Sequence, residues 1–117
     1  MKKPAQFASY KNLIVHQKPS ALTRDIIVYF LRQEIPQTIG FVGEKLCCSI
    51  NLVGAKTAGG YGKHYKGNQK QFFSIARGFS FESDYWLEVL SKLSVFNVDK
   101  IYDLSQRNTR LSKSLTT

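Results

Sequence analysis

The chain has 117 residues, an apolar content of 43%, and 17 Lys and Arg against 8 Asp and Glu. This length and composition predict one folded domain, because the chain is too short for two cores and too apolar for global disorder. It contains no run of the roughly 18 apolar residues that a membrane span requires. The opening "MKKPAQFASYK" has no apolar stretch typical of a secretory signal. We therefore expect a cytoplasmic protein.

The net charge of +9 narrows the class of partner. In a folded chain of this size such an excess favours a polyanion, above all nucleic acid. The excess is concentrated: residues 45 to 81 contain no acid but carry Lys45, Lys56, Lys63, Lys66, Lys70 and Arg77. The alternative is that these cations only maintain solubility. No basic amphipathic helix with a wide apolar face stands out, so no membrane partner is expected.

The first half of the chain predicts two helices. The first carries Leu22, Ile26, Tyr29 and Phe30 on one side, with Pro19 at the entry or first turn and Pro36 as the stop. The second has a stripe of Val42, Leu46, Ile50, Val53 and Thr57, followed by Gly59 and Gly60 as a left-handed stop. "LIV" at 13–15 has strand propensity but no partner strand. The adjacent Cys47 and Cys48 are expected to be small buried hydrophobes rather than a disulfide.

The second half predicts two longer helices. The third has a seam of Phe72, Ala76, Phe79, Ser83, Trp86, Leu90 and Leu93, with Asn68 as N-cap and Gln71 completing a capping box. The fourth has Ile101, Leu104, Asn108, Leu111 and Leu115, with Asn97 as N-cap and Asp99 in the first turn. These patterns predict an all-α fold, an antiparallel up-down-up-down four-helix bundle. One domain would span residues 1–117, with residues 1–9 and 113–117 frayed.

Three residues of these helices have more than one interpretation. Asn108 interrupts an apolar seam, as either an exposed boundary position or a determinant of register or oligomer state. Arg77 is expected to pair with Glu44, Glu82 or a neighbouring subunit. Trp86 is expected in the core, although large aromatic residues also mark subunit contacts.

The stretch "AGGYGKHYKGNQK" at 58–70 is the candidate functional site. Its glycines allow the chain to reverse between the second and third helices. Basic side chains near this turn predict a nucleic-acid surface, to which the N-terminus of the third helix adds positive potential. Tyr61 and Tyr65 are candidates for stacking on unpaired bases, or for packing over the end of the bundle. The predicted basic residues are Lys56, Lys63, His64, Lys66 and Lys70.

Other kinds of site are not supported by the sequence. A phosphate loop of the dinucleotide or P-loop type needs a preceding strand, whereas these glycines come after a helix. Di-iron bundles need Glu-x-x-His pairs, which neither His16 nor His64 forms. Glu88 with Lys92, and Asp103 with Arg107, are expected to be solvated helix pairs rather than catalytic groups. We expect no catalytic residue, no metal and no cofactor.

Four segments occur in a characteristic order: "YKNLIVHQK" at 10–18, "AGGYG" at 58–62, "FFSIARG" at 72–78 and then Glu82. Together they resemble the 23S rRNA intervening-sequence protein family of small four-helix bundles, whose patterns are "LxVWQKA", "NIAEGYGR" and "FLxIARGSxxE". The resemblance covers roughly residues 10 to 93, and the final helix is compatible with it. The ordered set is more specific than any one motif.

The chain departs from the family pattern at three positions, and the departures at Lys56 and Gly59 make the turn between the second and third helices more basic. His16 replaces the family's tryptophan, Lys56 its turn asparagine, and Gly59 the glutamate of "AEG". The bundle is also similar to the accessory variability proteins of diversity-generating retroelements, which are basic homopentamers that work with a reverse transcriptase and its template RNA. This resemblance implies a pentameric, non-catalytic partner of RNA or DNA.

Two functions from different classes follow. The first is a basic homo-oligomeric scaffold that binds nucleic acid, as the accessory partner of a reverse transcriptase. The second is a structural or protein-interaction bundle of the intervening-sequence type, in which the lysines only solubilise the fold. The first function predicts RNA binding that weakens steeply with salt, because each neutralised phosphate releases counterions. The second predicts little affinity for RNA at about 0.15 M salt.

Overall fold

A computed structural model describes residues 14–63, 65–93 and 96–115, with side chains from Pro19 onward. This part of the chain contains four α-helices: α1 (Ile14–Leu31), α2 (Gly40–Tyr61), α3 (Lys66–Ser91) and α4 (Val98–Ser114), with a 3₁₀ helix at Gln37–Ile39 before α2. No strand occurs among these residues, and the predicted all-α class is confirmed. In place of the strand suggested by "LIV", Ile14 and Val15 begin α1, while Leu13 lies outside the described residues.

Contacts between successive helices show that each pair is antiparallel. Thr23 Oγ1 of α1 donates to the Ile50 carbonyl of α2 at 3.3 Å, and Gly54, further along α2, faces the earlier Pro19. The same reversal relates α2 to α3, and α3 to α4, because the later residue of one helix always meets the earlier residue of the next. The contacts that show it are Ser49–Ser83, Gly60–Phe73, Ser80–Asn108 and Asp84–Ser105. The topology is therefore an up-down-up-down bundle.

The predicted apolar stripes face a common core. In α4 all five predicted seam residues are buried, and α2 buries its whole predicted stripe. In α3 Ala76, Ser83 and Leu90 are buried, while Phe72, Phe79, Trp86 and Leu93 are half-buried. Trp86 packs against the core, as expected, although its buried Nε1 has no hydrogen-bond partner within the described residues. No helix in the described part of the chain combines the length and apolarity needed to cross a bilayer.

Asn108 is 1% exposed, so its interpretation as a boundary residue is wrong. Its Nδ2 donates to the Ser80 carbonyl at 2.8 Å, and its Oδ1 accepts from Ser80 Oγ at 2.8 Å. Because buried amide groups are costly unless hydrogen-bonded, this pairing favours one register of α4 against α3. The structure thus supports a register role within the chain.

Gly59 and Gly60 do not form the predicted left-handed stop. Both lie in the last turn of α2, and no described glycine has a positive φ. Their role is close packing: a Cβ on Gly60 would lie 2.5 Å from the Phe73 ring, and one on Gly59 would lie 3.0 Å from Phe72. The helix ends instead at Tyr61, where Gly62 caps it with φ −80°.

Two predicted helix starts are wrong and one is confirmed. Pro19 lies inside α1 rather than at its entry, since the helix already includes Ile14. Asn68 lies within α3, which begins at Lys66 with no side-chain cap from Tyr65. Asn97 does cap α4, accepting from the Lys100 amide at 3.1 Å, with Asp99 in the first turn. The predicted fraying of residues 1–9, 116 and 117 falls outside the described residues, and α4 extends through Ser114.

The cysteines differ from each other, contrary to the prediction that both are buried. Cys48 is exposed, and Cys47 is half-buried against the core; both are free thiols. Burial, and to a lesser extent the neighbouring Cys48, raises the pKa of the Cys47 thiol above its ordinary value. Cys47 is therefore protonated at neutral pH and behaves as a small apolar residue.

Candidate nucleic-acid interface

The α2–α3 turn is held by its own backbone. The amide of Gly62 donates to the Ala58 and Gly59 carbonyls at 3.3 and 3.1 Å, and the Lys63 amide donates to Gly60 at 3.1 Å. Across the turn, Gln69 Nε2 donates to the Lys63 carbonyl at 3.0 Å. These bonds fix the exit from α2 relative to the first turns of α3, and so fix where the basic side chains of both helices project.

Two of the predicted lysines converge on one aromatic ring. Lys63 Nζ lies 4.7 Å from the centroid of Phe72, and Lys56 Nζ lies 5.5 Å from the same centroid. Each cation–π contact contributes about 0.5–1 kcal/mol when exposed, which orders the ammonium groups without neutralising their charge. Phe72 is thus a platform that brings two cations together.

Lys66 and Lys70 extend this charge along α3. They lie one turn apart on the same side of the helix, and both are exposed. Tyr65, which precedes them, provides no side-chain cap, so amide groups in the first turn of α3 point towards the turn without a capping partner from Tyr65. Uncapped helix N-termini attract anions. We call Lys56, Lys63, Lys66 and Lys70 the turn lysines.

The two tyrosines of the predicted site occupy different environments. Tyr61 packs edge-on against Phe73, with ring centroids 5.2 Å apart, which is the packing arrangement expected over the end of a bundle. Tyr65 is 75% exposed and directly precedes Lys66. Stacking of either ring on a base stays a prediction. His64 lies outside the described residues.

No turn lysine forms an ion pair with a carboxylate of the described residues. The ion pairs of the described residues are Arg24–Asp25, Arg107–Asp25 and Lys92–Glu88. Arg107 therefore contacts Asp25 rather than the predicted Asp103, at 2.8 Å, whereas the predicted Glu88–Lys92 pair is present at 3.2 Å. Although partial burial acts to raise the pKa of Asp25, hydrogen bonds from Arg107 and Arg24 bring that pKa below its ordinary value.

A second cluster was not predicted from the sequence. Arg77 forms none of its expected ion pairs within the described residues; its guanidinium lies over the Phe81 ring, 5.4 Å from the centroid. Both side chains line an open cavity of about 300 Å³ between α3 and α4, and Lys113 lines it from α4. The spacing of four residues between Arg77 and Phe81 was the available signal, since it places them on one helix face.

Within the described parts of the chain, no group of three or more His, Cys, Asp and Glu side chains is arranged to hold a metal ion. The arrangement at the turn can attract and hold anions through charge and aromatic contact.

Comparison with known proteins identifies the family. A solved structure from Bacteroides thetaiotaomicron, described as a protein of unknown function from the S23 ribosomal protein family, superposes with a TM-score of 0.77. It is 17% identical, and the match covers 87% of this chain and 94% of that one, so the likeness concerns the fold. Among curated proteins, none matches significantly. The family model described as 23S rRNA-intervening sequence protein matches residues 11–117, and the chain belongs to that family.

Proposed function

We propose that this protein is a non-catalytic, cytoplasmic scaffold that binds nucleic acid through the α2–α3 turn. The observation that carries the proposal is the convergence of Lys56 and Lys63 on Phe72. Lys66 and Lys70 are exposed in the first two turns of α3, and none of the four lysines forms an ion pair among the described residues. Unpaired ammonium groups held close together repel each other, and a polyphosphate chain relieves that repulsion while releasing its own counterions.

A homo-oligomer strengthens such a surface, because every copy adds a formal charge of +9. The resemblance to the accessory variability proteins supports a pentamer that presents template RNA or its DNA copy to a reverse transcriptase. Two departures from the family pattern also support nucleic-acid binding. Lys56 replaces a neutral asparagine with a cation, and Gly59 replaces an acidic glutamate with an uncharged residue.

The competing function is a structural or protein-interaction bundle. Exposed apolar side chains on other faces favour it, among them Leu31 (79% exposed) and Tyr102 (65% exposed). In that case the turn lysines are solubilising, and association with a protein partner persists at salt concentrations that abolish RNA binding.

The discriminating experiment is a salt titration of RNA affinity. Replacing Lys63, Lys66 and Lys70 with glutamine removes three charges from the turn. If all three contact phosphates of a single strand, the slope of log K against log[salt] becomes shallower by about 2. Fluorescence anisotropy with a labelled single-stranded RNA measures both the affinity and the slope.

A matched control removes the same charge elsewhere. Lys45 and Lys100 lie in the halves of α2 and α4 remote from the turn, and Lys92 directly follows the end of α3. Their replacement by glutamine changes the net charge equally. We expect the control to retain more affinity and a steeper slope than the turn variant. Equal losses in the two variants would mean that net charge, and not the turn, determines binding.

A further inference from the structure

We propose that the groove between α3 and α4 is a binding site for one unpaired nucleotide of a single strand: its base stacks on Phe81, and its phosphate lies between Arg77 and Lys113. This inference rests on the proposed function and adds a second contact surface, with a ligand class, to it. It predicts a preference for single-stranded over duplex nucleic acid.

The groove has the composition of a nucleotide site. Phe81 is 58% exposed although the Arg77 guanidinium covers part of its ring, so ring surface stays open to a ligand. Arg77 and Lys113 face the same cavity from opposite helices, and neither forms an ion pair within the described residues. Thr109 is also exposed and lines the wall, and its hydroxyl donates to the Ser105 carbonyl at 3.1 Å. An aromatic face flanked by two cations suits a base and its phosphate.

The groove lies on the side of α3 that carries Lys66 and Lys70, two of the turn lysines. Lys66, Lys70 and Arg77 are separated by four and seven residues, which is one and two helical turns, so they share one side of the helix. The Cα atoms of Lys66 and Arg77 are roughly 16 Å apart along the axis, at 1.5 Å per residue. A strand bound at Lys66 and Lys70 can therefore follow one side of α3 to Arg77 and the groove.

The far end of the groove has the opposite charge. Asp84 lines the cavity beyond Phe81 and accepts from Ser105 Oγ at 2.6 Å. Glu88 follows one turn later and is held by Lys92 at 3.2 Å. These carboxylates repel phosphates, so the basic track ends near Phe81 rather than running the length of α3.

The geometry favours single strands because a paired base cannot enter. The cavity of about 300 Å³ is at the small end of the range for ligand sites and is bounded by helices on two sides. Bases of a duplex are stacked on each other and shielded by two backbones, whereas an unpaired base can turn onto an aromatic ring. Duplex would contact the turn lysines alone.

The test is the substitution Phe81→Leu. Phe41→Leu is the matched control, because Phe41 is 56% exposed at the start of α2, at the end of the bundle remote from the α2–α3 turn. Affinity is measured by anisotropy at fixed salt for a labelled single-stranded RNA and for a blunt duplex of the same length. We expect Phe81→Leu to weaken single-strand binding about 5- to 100-fold, the typical loss when one stacking partner is removed.

Further results are expected, and a different outcome of any of these binding measurements would overturn the inference. Duplex affinity and the salt slope should not change in Phe81→Leu, because no charge is removed. Arg77→Gln with Lys113→Gln should instead make the single-strand slope shallower by about 1. Phe41→Leu should bind like the unsubstituted protein, and circular dichroism should show all variants folded.

The failures of the two proposals are distinguishable. If Phe81→Leu binds single strands as well as Phe41→Leu does, while the turn variant loses binding, the groove site is wrong and the function stands. Equal weakening of single strand and duplex would also overturn the base site. If the unsubstituted protein binds neither the single-stranded RNA nor the duplex, both proposals fail.

Discussion

Gly60 shows how one residue without a side chain shapes the turn. The edge of the Phe73 ring fills the space where a Cβ would be, and Tyr61 packs against that same ring. The close approach of α2 to α3 in this region therefore depends on the absence of a methyl group. It positions Phe72 as well, and with it Lys56 and Lys63.

Gly60→Ala is expected to destabilise the fold by about 1–3 kcal/mol, the usual cost of inserting a methyl group into a packed region. Gly78→Ala is the control, because Gly78 also lies inside a helix but has no atom within 4 Å of an added Cβ. The control should stabilise the protein by about 0.5–1 kcal/mol through helix propensity. Urea denaturation measures both. A Gly60→Ala protein as stable as Gly78→Ala would contradict the packing role.

At the scale of helices, features that depend on contacts within one helix were predictable from the sequence, whereas features that depend on contacts between helices were not. The seams of α2 and α4 were predictable because a period of 3.6 residues places their apolar side chains on one face. The Asn97 cap was predictable because a cap is a contact within one turn. The end of α2 was not, since Gly59 and Gly60 are set by rings of another helix. Pro19 was misplaced because α1 continues upstream of it.

The pairing of α3 with α4 depends on a buried polar contact. Asn108→Ala removes the amide that both donates to and accepts from Ser80, and leaves the Ser80 hydroxyl buried without that partner. We expect a loss of about 2–4 kcal/mol from the lost hydrogen bonds and the cavity. Chemical denaturation of the single variant measures the loss.

The double variant Asn108→Leu with Ser80→Ala separates the cost of the lost hydrogen bonds from the cost of packing. It replaces both polar partners with apolar groups and should recover most of the lost stability, because no buried hydroxyl or amide is left unpaired. If the double variant is as unstable as Asn108→Ala, the cost comes from packing rather than from the hydrogen bonds. Register would then not depend on this pair.

At the scale of the whole molecule, the antiparallel topology brings much of the acid-free segment of the sequence to one end of the bundle, so the two ends differ in charge. The acid-free segment 45–81 folds back on itself, so its later α2 residues and earlier α3 residues meet at one end of the bundle. Glu34, Glu44, Glu88 and Asp99 lie towards the other end, where helices α1 and α3 finish and α2 and α4 begin. The antiparallel connection therefore concentrates positive charge at the α2–α3 turn.

The candidate site was predictable only in part. A cluster of lysines around the turn followed from composition and helix ends alone. The role of Phe72 as their shared platform did not, because it needs the relative rotation of α2 and α3. Arg77 was assigned to an ion pair for the same reason, since sequence does not show that Phe81 lies beneath it.

Lysine footprinting tests the central claim most directly, because it reports where nucleic acid lies and not only how tightly it binds. The protein is modified with an amine-reactive reagent with and without single-stranded RNA, and each lysine is quantified by mass spectrometry. The account predicts that RNA protects Lys56, Lys63, Lys66 and Lys70, while Lys45, Lys92 and Lys100 keep their reactivity. Uniform protection, or protection confined to Lys45, Lys92 and Lys100, would contradict it.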